Sequence, residues 1–435
     1  MKPLPKLILL ASLGAATLAA QVALLPDPTP VSAAVNSELP SWLRFSGEER
    51  ARTEYIQGEG FKPVGDLYLL NRLRLNMDVR AAGWLRFSFQ AEDARVFGQN
   101  TLPAPATQKD AMDLRVGYVE IGGPESVATL RAGRQSLDFG DGRLVADPNW
   151  SNVGRTFDAA RLTLRHRRLK LDLFTGAVVK IDPVGFDLPA PGGHFHGAYG
   201  SLGGLVPGAV IEPYVFWRLD HNYRSETGRP GNLDEKTVGY RWAGKLPEAF
   251  DYTAEMAAQA GSWAGDRIAA WMGRWIVGHT FVVPGQPRLF LEYARASGDP
   301  NPTDRRHATF DPLFPVPHDV YGLTDLFFSQ NIVQLRPAVQ FSLRPNLRLT
   351  AAYDDFRLAS ARDGLYVAGR IAARSLDGAA GAHIGQEADL QARWTVGPAT
   401  EFTIGCGHLF PGRFLRSTTA GVPYNLVFLN LAQRF

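Results

Sequence analysis

The sequence predicts an all-β protein, a single transmembrane β-barrel of about 18 antiparallel strands, and three observations lead to this fold class. Apolar and polar residues alternate with a period of two along most of the chain. After Leu25, no apolar run reaches the about 18 residues that a membrane-spanning helix needs. The mean hydropathy of -0.13 also fits a barrel, because lipid-facing and interior-facing residues of each strand average out.

The N-terminal residues 1–34 predict a secretory signal peptide, which leaves residues 35–435 for the barrel. A basic start, Met1 to Lys6, precedes a mostly apolar stretch from Leu7 to Leu25. Small residues near Ala34 offer a cleavage site within the region 20–34. A transmembrane helix is the alternative, but the Gly/Ala-rich stretch and the lack of any later apolar run argue against it.

One barrel accounts for the remaining length, because no linker or shift in composition divides the chain. The formal net charge of +3 says little about partners. Cys406 is the single cysteine, which excludes an intramolecular disulfide framework and a metal cluster built on thiolates. We expect no cofactor and no metal site.

The alternation predicts eighteen strands, several of them unambiguous. In one, Leu73 and Leu75 alternate with Arg72 and Arg74. The predicted strands are 42–57, 66–80, 84–97, 111–121, 126–136, 157–167, 169–178, 194–203, 208–219, 233–243, 250–262, 267–279, 287–296, 329–343, 346–359, 384–396, 399–410 and 424–435.

The connections between these strands differ in length according to their place in the chain. Each even strand leads into the next odd strand by a short turn, whereas most odd strands lead into the next even strand by a long loop. Short periplasmic turns and long extracellular loops are typical of transmembrane barrels, and a soluble β-sandwich has no reason for the pattern. The long loops are predicted at 98–110, 137–156, 179–193, 220–232, 297–328 and 360–383.

The C-terminal strand supports the same interpretation. Val427, Leu429 and Leu431 share one face with Phe435, and Asn430 lies on the other. A strand of this kind pairs with the first strand to close a barrel, and we expect the barrel assembly machinery to recognise it. The alternative is an ordinary last strand of a soluble sandwich.

The face of the strands predicted to point outward carries aromatic residues, several of them near strand ends. Such rings prefer the headgroup level of a membrane, so we expect contacts with membrane lipid and lipopolysaccharide. The preference of aromatic residues for β-sheets is the alternative explanation. These residues are Trp217, Tyr240, Trp242, Tyr252, Trp271, Trp275, Tyr293 and Trp394.

The face predicted to point inward is heavily charged, and arginine dominates it. A packed core does not hold so many charges, whereas a water-filled lumen does. The excess of guanidinium groups favours an anionic solute, since their planar fork binds carboxylates and phosphates. The alternative is that these charges pair across neighbouring strands and stiffen the wall. The candidate pore-lining residues are Arg72, Arg74, Asp78, Arg80, Arg86, Glu120, Arg131, Arg161, Arg165, Asp172, Arg241, Glu255, Arg274, Glu292, Arg336, Asp354, Glu387 and Arg393.

The loop 297–328 is the longest connection, and it is rich in proline and charged residues. We expect a solvated cover on the surface, which is the usual place of a long loop. Two alternatives are a plug inside the lumen and a binding site for divalent cations on its carboxylates. His194 and His196 could share a metal, but no third ligand accompanies them.

Three groups of motifs resemble the alginate export outer-membrane family, over about residue 40 to 435. The first is Gly133-Arg134-Gln135-Ser136-Leu137, then Phe139-Gly140-Asp141-Gly142-Arg143-Leu144 and Asn149-Trp150-Ser151-Asn152-Val153-Gly154-Arg155-Thr156-Phe157-Asp158-Ala159-Ala160-Arg161. The second is Glu292-Tyr293-Ala294, Ser297-Gly298-Asp299, Tyr321-Gly322 and Asp325-Leu326-Phe327, and the third is His408-Leu409-Phe410-Pro411-Gly412. The resemblance implies an eighteen-stranded monomeric barrel that passes a linear polyuronate outward through an arginine-rich pore. The long periplasmic turn that gates the family's exporters has no counterpart in this sequence.

Four functions remain open from the sequence, and one of them, an adhesive or structural role, has no positive signal. The first is export of an anionic polysaccharide such as an alginate-like polyuronate, which predicts arginines continuously along one path. The second is a general or small-anion porin for uptake, which predicts a constriction made by an inward outer loop with opposed charges. The third, an enzyme, is disfavoured because His166, His279 and His408 fall outside the interior phase. Basic residues are dispersed, so no nucleic-acid partner is expected.

Overall fold

The computed structural model describes residues 30–225 and 228–435, and most of them form one antiparallel sheet closed on itself. Eighteen strands make the barrel, as the alternation predicted. They are β1 (Leu43–Gln57), β2 (Gly65–Ala82), β3 (Leu85–Phe97), β4 (Asp110–Ile121), β5 (Ala128–Gln135), β6 (Phe157–His166), β7 (Leu169–Lys180), β8 (Gly193–Gly203), β9 (Ala209–Arg224), β10 (Pro230–Leu246), β11 (Phe250–Trp263), β12 (Asp266–Thr280), β13 (Arg288–Ala296), β14 (Ile332–Arg344), β15 (Leu347–Leu358), β16 (His383–Val396), β17 (Thr400–Pro411) and β18 (Tyr424–Arg434).

The barrel closes where β18 pairs with β1, with Gln57 opposite Asn425. Beyond the last paired residues, the backbone N–H of Phe435 donates to the Gly47 carbonyl at 3.0 Å, and the Gly47 N–H donates to the Phe435 carbonyl at 2.6 Å. The Phe435 ring lies where a side chain at position 47 would stand, because a Cβ built there would be 2.3 Å from its Cε2 atom. The seam therefore depends on glycine at this position.

The two ends of the barrel differ, as the loop lengths predicted. One end, which we call the short-turn end, carries the connections 83–84, 122–127, 167–168, 204–208, 247–249, 281–287, 345–346 and 397–399. The other, the long-loop end, carries 58–64, 98–109, 136–156, 181–192, 225–229, 264–265, 297–331, 359–382 and 412–423. The predicted loop 220–232 is wrong in extent, because β9 and β10 continue through most of it as a paired hairpin.

The outward face is apolar. Side chains such as Leu67, Val238 and Val277 are more than half exposed, as expected for strands that face lipid. Of the eight aromatic residues predicted on this face, seven are more than one third exposed, and Tyr252 is half-buried. An exposed apolar surface of this extent is unusual for a protein in water, and it identifies the membrane-facing side.

Short elements complete the described part of the chain. Helix α1 (Pro30–Ser37) lies against β1, where the Asn36 side-chain amide exchanges two hydrogen bonds of 2.8 Å with the Phe45 backbone. Helix α2 (Arg413–Thr418) lies in the last loop. The predicted signal peptide falls largely outside the described residues, and α1 spans its predicted cleavage region near Ala34. Among residues 30–225 and 228–435, no helix is long and apolar enough to cross a membrane.

Candidate pore and its inward loops

The candidate pore residues lie on the interior phase of their strands, but at different depths. Twelve are buried, namely Arg72, Arg74, Asp78, Arg161, Asp172, Arg241, Glu255, Arg274, Glu292, Arg336, Asp354 and Glu387. Four are half-buried, namely Arg86, Glu120, Arg131 and Arg165. Arg80 and Arg393 are exposed. Water therefore does not reach most of this wall, although an open lumen would expose it.

Strand register pairs many of these charges across neighbouring strands. Glu120 stands directly opposite Arg131, and their side chains form an ion pair of 2.6 Å. Arg161 reaches Asp172 at 2.9 Å on the next strand. Arg74 pairs with Glu92 in the same manner. Such cross-strand pairs stabilise a sheet by about 0.2–1 kcal/mol each, so part of the wall charge has the structural role that the sequence left open.

The loop 136–156, which we call the first inward loop, folds into the barrel. The Asn149 carbonyl accepts hydrogen bonds from Arg50 at 2.6 Å and from Arg72 at 3.0 Å. The Asn149 side-chain oxygen accepts another from Arg74 at 2.7 Å. Arginines on β1 and β2 are therefore bound by loop atoms 75 to 99 residues away in the chain.

The opposite wall holds the same loop through charges. Asp141 pairs with Arg274 and lies 3.5 Å from Arg241, while Arg143 pairs with Glu292. Burial disfavours the ionised form of Asp141, but the three arginines Arg274, Arg241 and Arg143 outweigh it and hold the pKa of this carboxyl well below its usual range. The carboxylate is therefore charged at any physiological pH.

An aromatic cluster on the inner wall receives the start of the first inward loop. The Phe139 ring stacks on Tyr199 with centroids 4.8 Å apart and on Phe174 at 5.4 Å. Phe195 and Phe216 complete the cluster, and all five rings are buried. A polar, water-filled lumen would not carry these rings, so this side of the barrel is a packed core around the loop.

The loop 297–331, which we call the second inward loop, also folds into the barrel. Asp319 pairs with Arg336 at 2.5 Å, and Thr324 donates from its backbone and hydroxyl to Glu387 at 2.9 and 2.6 Å. Gly322 has φ of 84°, and a Cβ there would lie 2.2 Å from the Glu387 carboxylate. Only glycine allows the backbone to approach the wall this closely. The expectation of a solvated surface cover is wrong, and the alternative of a lumen plug describes the loop.

The two inward loops are joined to each other. Val145 and Phe314 form a parallel β-bridge, with the Phe314 N–H donating to the Leu144 carbonyl at 2.8 Å. Arg155 donates to the Pro315 carbonyl at 3.0 Å. The two loops therefore form one unit inside the barrel.

A stack of rings joins the same loops to the wall of β1. Trp150 lies flat on the His318 ring at 3.6 Å, and the Arg52 guanidinium covers Trp150 at 3.7 Å from its centroid. The His318 Nδ1 atom lies 2.9 Å from an oxygen of the Asp325 carboxylate, which accepts a hydrogen bond from it. Burial raises the pKa of Asp325, although the neighbouring His318 acts in the opposite direction.

Many of the residues that hold the inward loops to the barrel wall and to each other were not among the predicted pore residues. They are Asp141, Arg143, Asp147, Asn149, Trp150, Asp311 and Asp319, all on the two inward loops. Among them, Asp147 pairs with Arg115 of β4 and Asp311 pairs with Arg218 of β9. One signal was available: most of the residues on the first inward loop stand in motifs that carry the family resemblance. The pairing itself was hidden, because the partners lie more than 130 residues apart in cases such as Arg274 and Asp141.

The short-turn end of the lumen is different, because the inward loops do not cover its basic side chains. Arg80, Arg393 and Arg434 keep about half or more of their side chains exposed, at 62%, 50% and 46%. Arg348 stands opposite Arg393 in the register of β15 and β16 and is also exposed. Each of the first three also lies near one carboxylate: Arg80 is 3.6 Å from Asp78, Arg393 is 3.7 Å from Glu401, and Arg434 is 3.5 Å from Glu48. This mouth is therefore rich in arginine and open to solvent.

Comparisons with solved structures agree with this architecture. The fold is similar to OpdR from Pseudomonas aeruginosa, with 12% identity, a TM-score of 0.59, and coverage of 90% of this chain and 96% of that one. OpdO from the same organism has 12% identity, a TM-score of 0.59, and coverage of 92% and 99%. The outer membrane protein OpdK has 10% identity, a TM-score of 0.60, and coverage of 90% and 98%, and it was also solved with vanillate. Identities this low show the shared fold alone.

A comparison with curated proteins found no match to this sequence. The family comparison did, with the alginate export family over residues 41–426. This range runs from the start of β1 into β18 and includes both inward loops, so it covers nearly all of the barrel. The family and the fold are those of transport channels. The chain therefore belongs to the alginate export family, as a β-barrel channel of the bacterial outer membrane.

Proposed function

We propose that this channel passes an anionic polysaccharide, an alginate-like polyuronate, from the short-turn end toward the long-loop end. The single observation that carries the proposal is the arginine-rich mouth formed by Arg80, Arg348, Arg393 and Arg434. In an outer-membrane barrel the short turns face the periplasm, so this mouth is where a polymer leaving the cell would enter. Membership of the alginate export family supports the same direction and substrate class.

The chemistry of the mouth suits a chain of carboxylates. Guanidinium groups bind carboxylates through two parallel N–H donors, and their charge raises the local concentration of an anionic polymer. Arg393 has one carboxylate nearby, Glu401 at 3.7 Å, so most of its donors remain available to a solute. The buried arginines deeper in the lumen, such as Arg72, become available only when the inward loops move away from them.

A small-anion porin is the second candidate, and the inward loops favour it. They bring opposed charges into the lumen, as in the pairs Asp141 with Arg274 and Asp319 with Arg336. A constriction of this kind selects small solutes. The structure of OpdK with vanillate, an aromatic carboxylate, suggests a ligand class to test.

Planar-bilayer conductance of the purified protein distinguishes the two candidates. We expect an oligomannuronate added on the short-turn side to block an anion-selective current, whereas a neutral oligosaccharide of equal length does not. The same oligomer should block the variant Arg393→Glu less well. Block by vanillate with indifference to the oligouronate would favour the small-anion porin. Equal block by the neutral oligosaccharide would refute selection by charge.

We also propose that the protein works as a monomer, with lipid and lipopolysaccharide as its surroundings. The closed sheet supports this, because it leaves no strand edge that a second chain must pair with.

A further inference from the structure

The rim of the barrel at the long-loop end holds three carboxylates that play no part in the channel described above. Asp110 and Asp113 stand on β4, and Asp187 lies in the loop 181–192. One carboxylate oxygen from each residue lies within 4.8 Å of the other two. Three negative charges at this spacing repel one another, and Asp110 and Asp113 are buried, which weakens screening by water.

Asp110 is the member of this cluster whose carboxylate is least satisfied by the protein itself. Asp110 is 3% exposed, and its Oδ1 atom is buried without a hydrogen-bond partner. A buried carboxylate oxygen without a hydrogen-bond donor costs free energy, so this position favours a positively charged ligand.

The arginines near this cluster are already engaged. Arg95 pairs with Asp93 at 2.5 Å, and the Arg134 guanidinium pairs with Asp158 at 2.9 Å. Arg134 also donates to the backbone carbonyl of Asp187 at 2.9 Å, but not to its carboxylate. Within the part of the chain that the structure describes, no arginine or lysine forms an ion pair with the three aspartates.

We propose that Asp110, Asp113 and Asp187 together bind one Ca²⁺ ion. Carboxylate oxygens are the ligands that this hard cation prefers, and Ca²⁺ accepts six to eight oxygens in irregular arrangements that water and backbone carbonyls complete. Mg²⁺ demands a near-ideal octahedron and keeps its own waters, so it fits a cluster on a strand and a separate loop less well.

The ion ties the loop 181–192 to the wall. The backbone N–H of Asp187 donates to the Asp113 carboxylate at 2.7 Å, so the loop is already in position for its own carboxylate to serve as a ligand. The long-loop end of an outer-membrane barrel faces the outside of the cell. Extracellular Ca²⁺ modules bind with Kd values of about 0.1–1 mM, and we expect an affinity in this range.

Equilibrium dialysis with radioactive Ca²⁺ tests the proposal on the purified protein, refolded in a non-ionic detergent free of lipopolysaccharide. We expect one Ca²⁺ per chain, and at least about tenfold weaker binding for Asp110→Asn and for Asp187→Asn, because each removes one of three charged ligands. The matched control is Asp182→Asn in the same loop, whose carboxylate accepts from the N–H groups of Val184 and Gly185 at 3.2 Å. It should bind as the wild type does.

No saturable binding to the wild type would overturn the proposal, and so would undiminished binding to the double variant Asp110→Asn/Asp187→Asn. Displacement of Ca²⁺ by an equal concentration of Mg²⁺ would overturn the choice of cation. If the variants fail to form a heat-modifiable barrel, the proposal is tested on the wild type instead, by the rate of tryptic cleavage after Lys180 with and without Ca²⁺. Lys180 is exposed and borders the loop, so bound Ca²⁺ should slow the cleavage several-fold. Equal rates with and without Ca²⁺ would refute the site.

Discussion

Replacing Arg143 with glutamine should release the first inward loop from the wall. The Arg143 guanidinium pairs with Glu292 and donates to the Val320 carbonyl at 3.1 Å, so one side chain holds its own loop to β13 and to the second inward loop. Both partners of the ion pair are buried, with side-chain exposures of 3% and 4%. Glutamine keeps hydrogen-bonding capacity but removes the charge and shortens the reach.

The size of the effect follows from these contacts. Breaking a buried ion pair by removing one partner costs about 3–5 kcal/mol. Glu292 keeps a second partner, Arg274 at 2.8 Å, so the carboxylate is not left alone and the cost falls to roughly 2–3 kcal/mol. Since about 1.4 kcal/mol is a factor of ten, the ratio of released to seated loop should rise about 30-fold to 150-fold.

Single-channel recording in planar bilayers measures this ratio as the fraction of time in a high-conductance state. Arg362→Gln is the matched control, because Arg362 is an exposed arginine in the loop 359–382. We expect Arg143→Gln to raise the open fraction and the control to leave it unchanged. An open fraction equal to that of the wild type would refute the role of Arg143 as the anchor of the loop.

Three further outcomes are expected. Gly47→Ala should weaken the seam by about 1–3 kcal/mol, because its Cβ would overlap the Phe435 ring, and it should lower the yield of heat-modifiable barrel on gels. The control Gly203→Ala should leave the yield unchanged, because a Cβ at position 203 would have no atom within 4 Å. Burial, together with the Asp147 carboxylate, raises the pKa of Asp138 to about 6. Protonation of Asp138 therefore stabilises the loop inside the barrel fully below about pH 4, and this stabilisation is lost as the pH rises through 6. The open fraction should therefore be higher at pH 8 than at pH 5, and Asp138→Asn should reduce that difference; an unchanged pH dependence would contradict the assignment. Arg393→Glu should lower anion selectivity, read as a shifted reversal potential, and an identical potential would exclude this side chain from the solute path.

The strands were predictable because the lipid imposes one simple condition on them. Most outward residues at the depth of the membrane must be apolar, so alternation marks each strand and its phase without knowledge of its neighbours. The pairs Glu120–Arg131 and Arg74–Glu92 follow from that phase, although the register that matches them was not visible. The ends of β9 and β10 were misjudged because, beyond the membrane, both faces of a strand carry polar residues and the alternation with apolar residues is lost.

The interior was harder to predict, because its contacts join residues distant in the chain. Asp141 meets Arg274, and Asn149 meets Arg50, through a fold that must already be closed. The sequence interpretation took charge on the inner wall as evidence of water. In the structure many of these charges pair with the inward loops or with neighbouring strands, which local sequence patterns cannot distinguish from a wet lumen.

The bridge between Val145 and Phe314 also has a consequence for how the protein forms. Loop contacts that span the barrel need β1, β2, β12 and β13 in place before they gain anything, and closing such long stretches of chain costs entropy first. The two loops should therefore enter the lumen after the last strand has paired with the first. Contacts made so late are absent from the folding transition state, so weakening them should speed unfolding and leave the rate of barrel assembly unchanged.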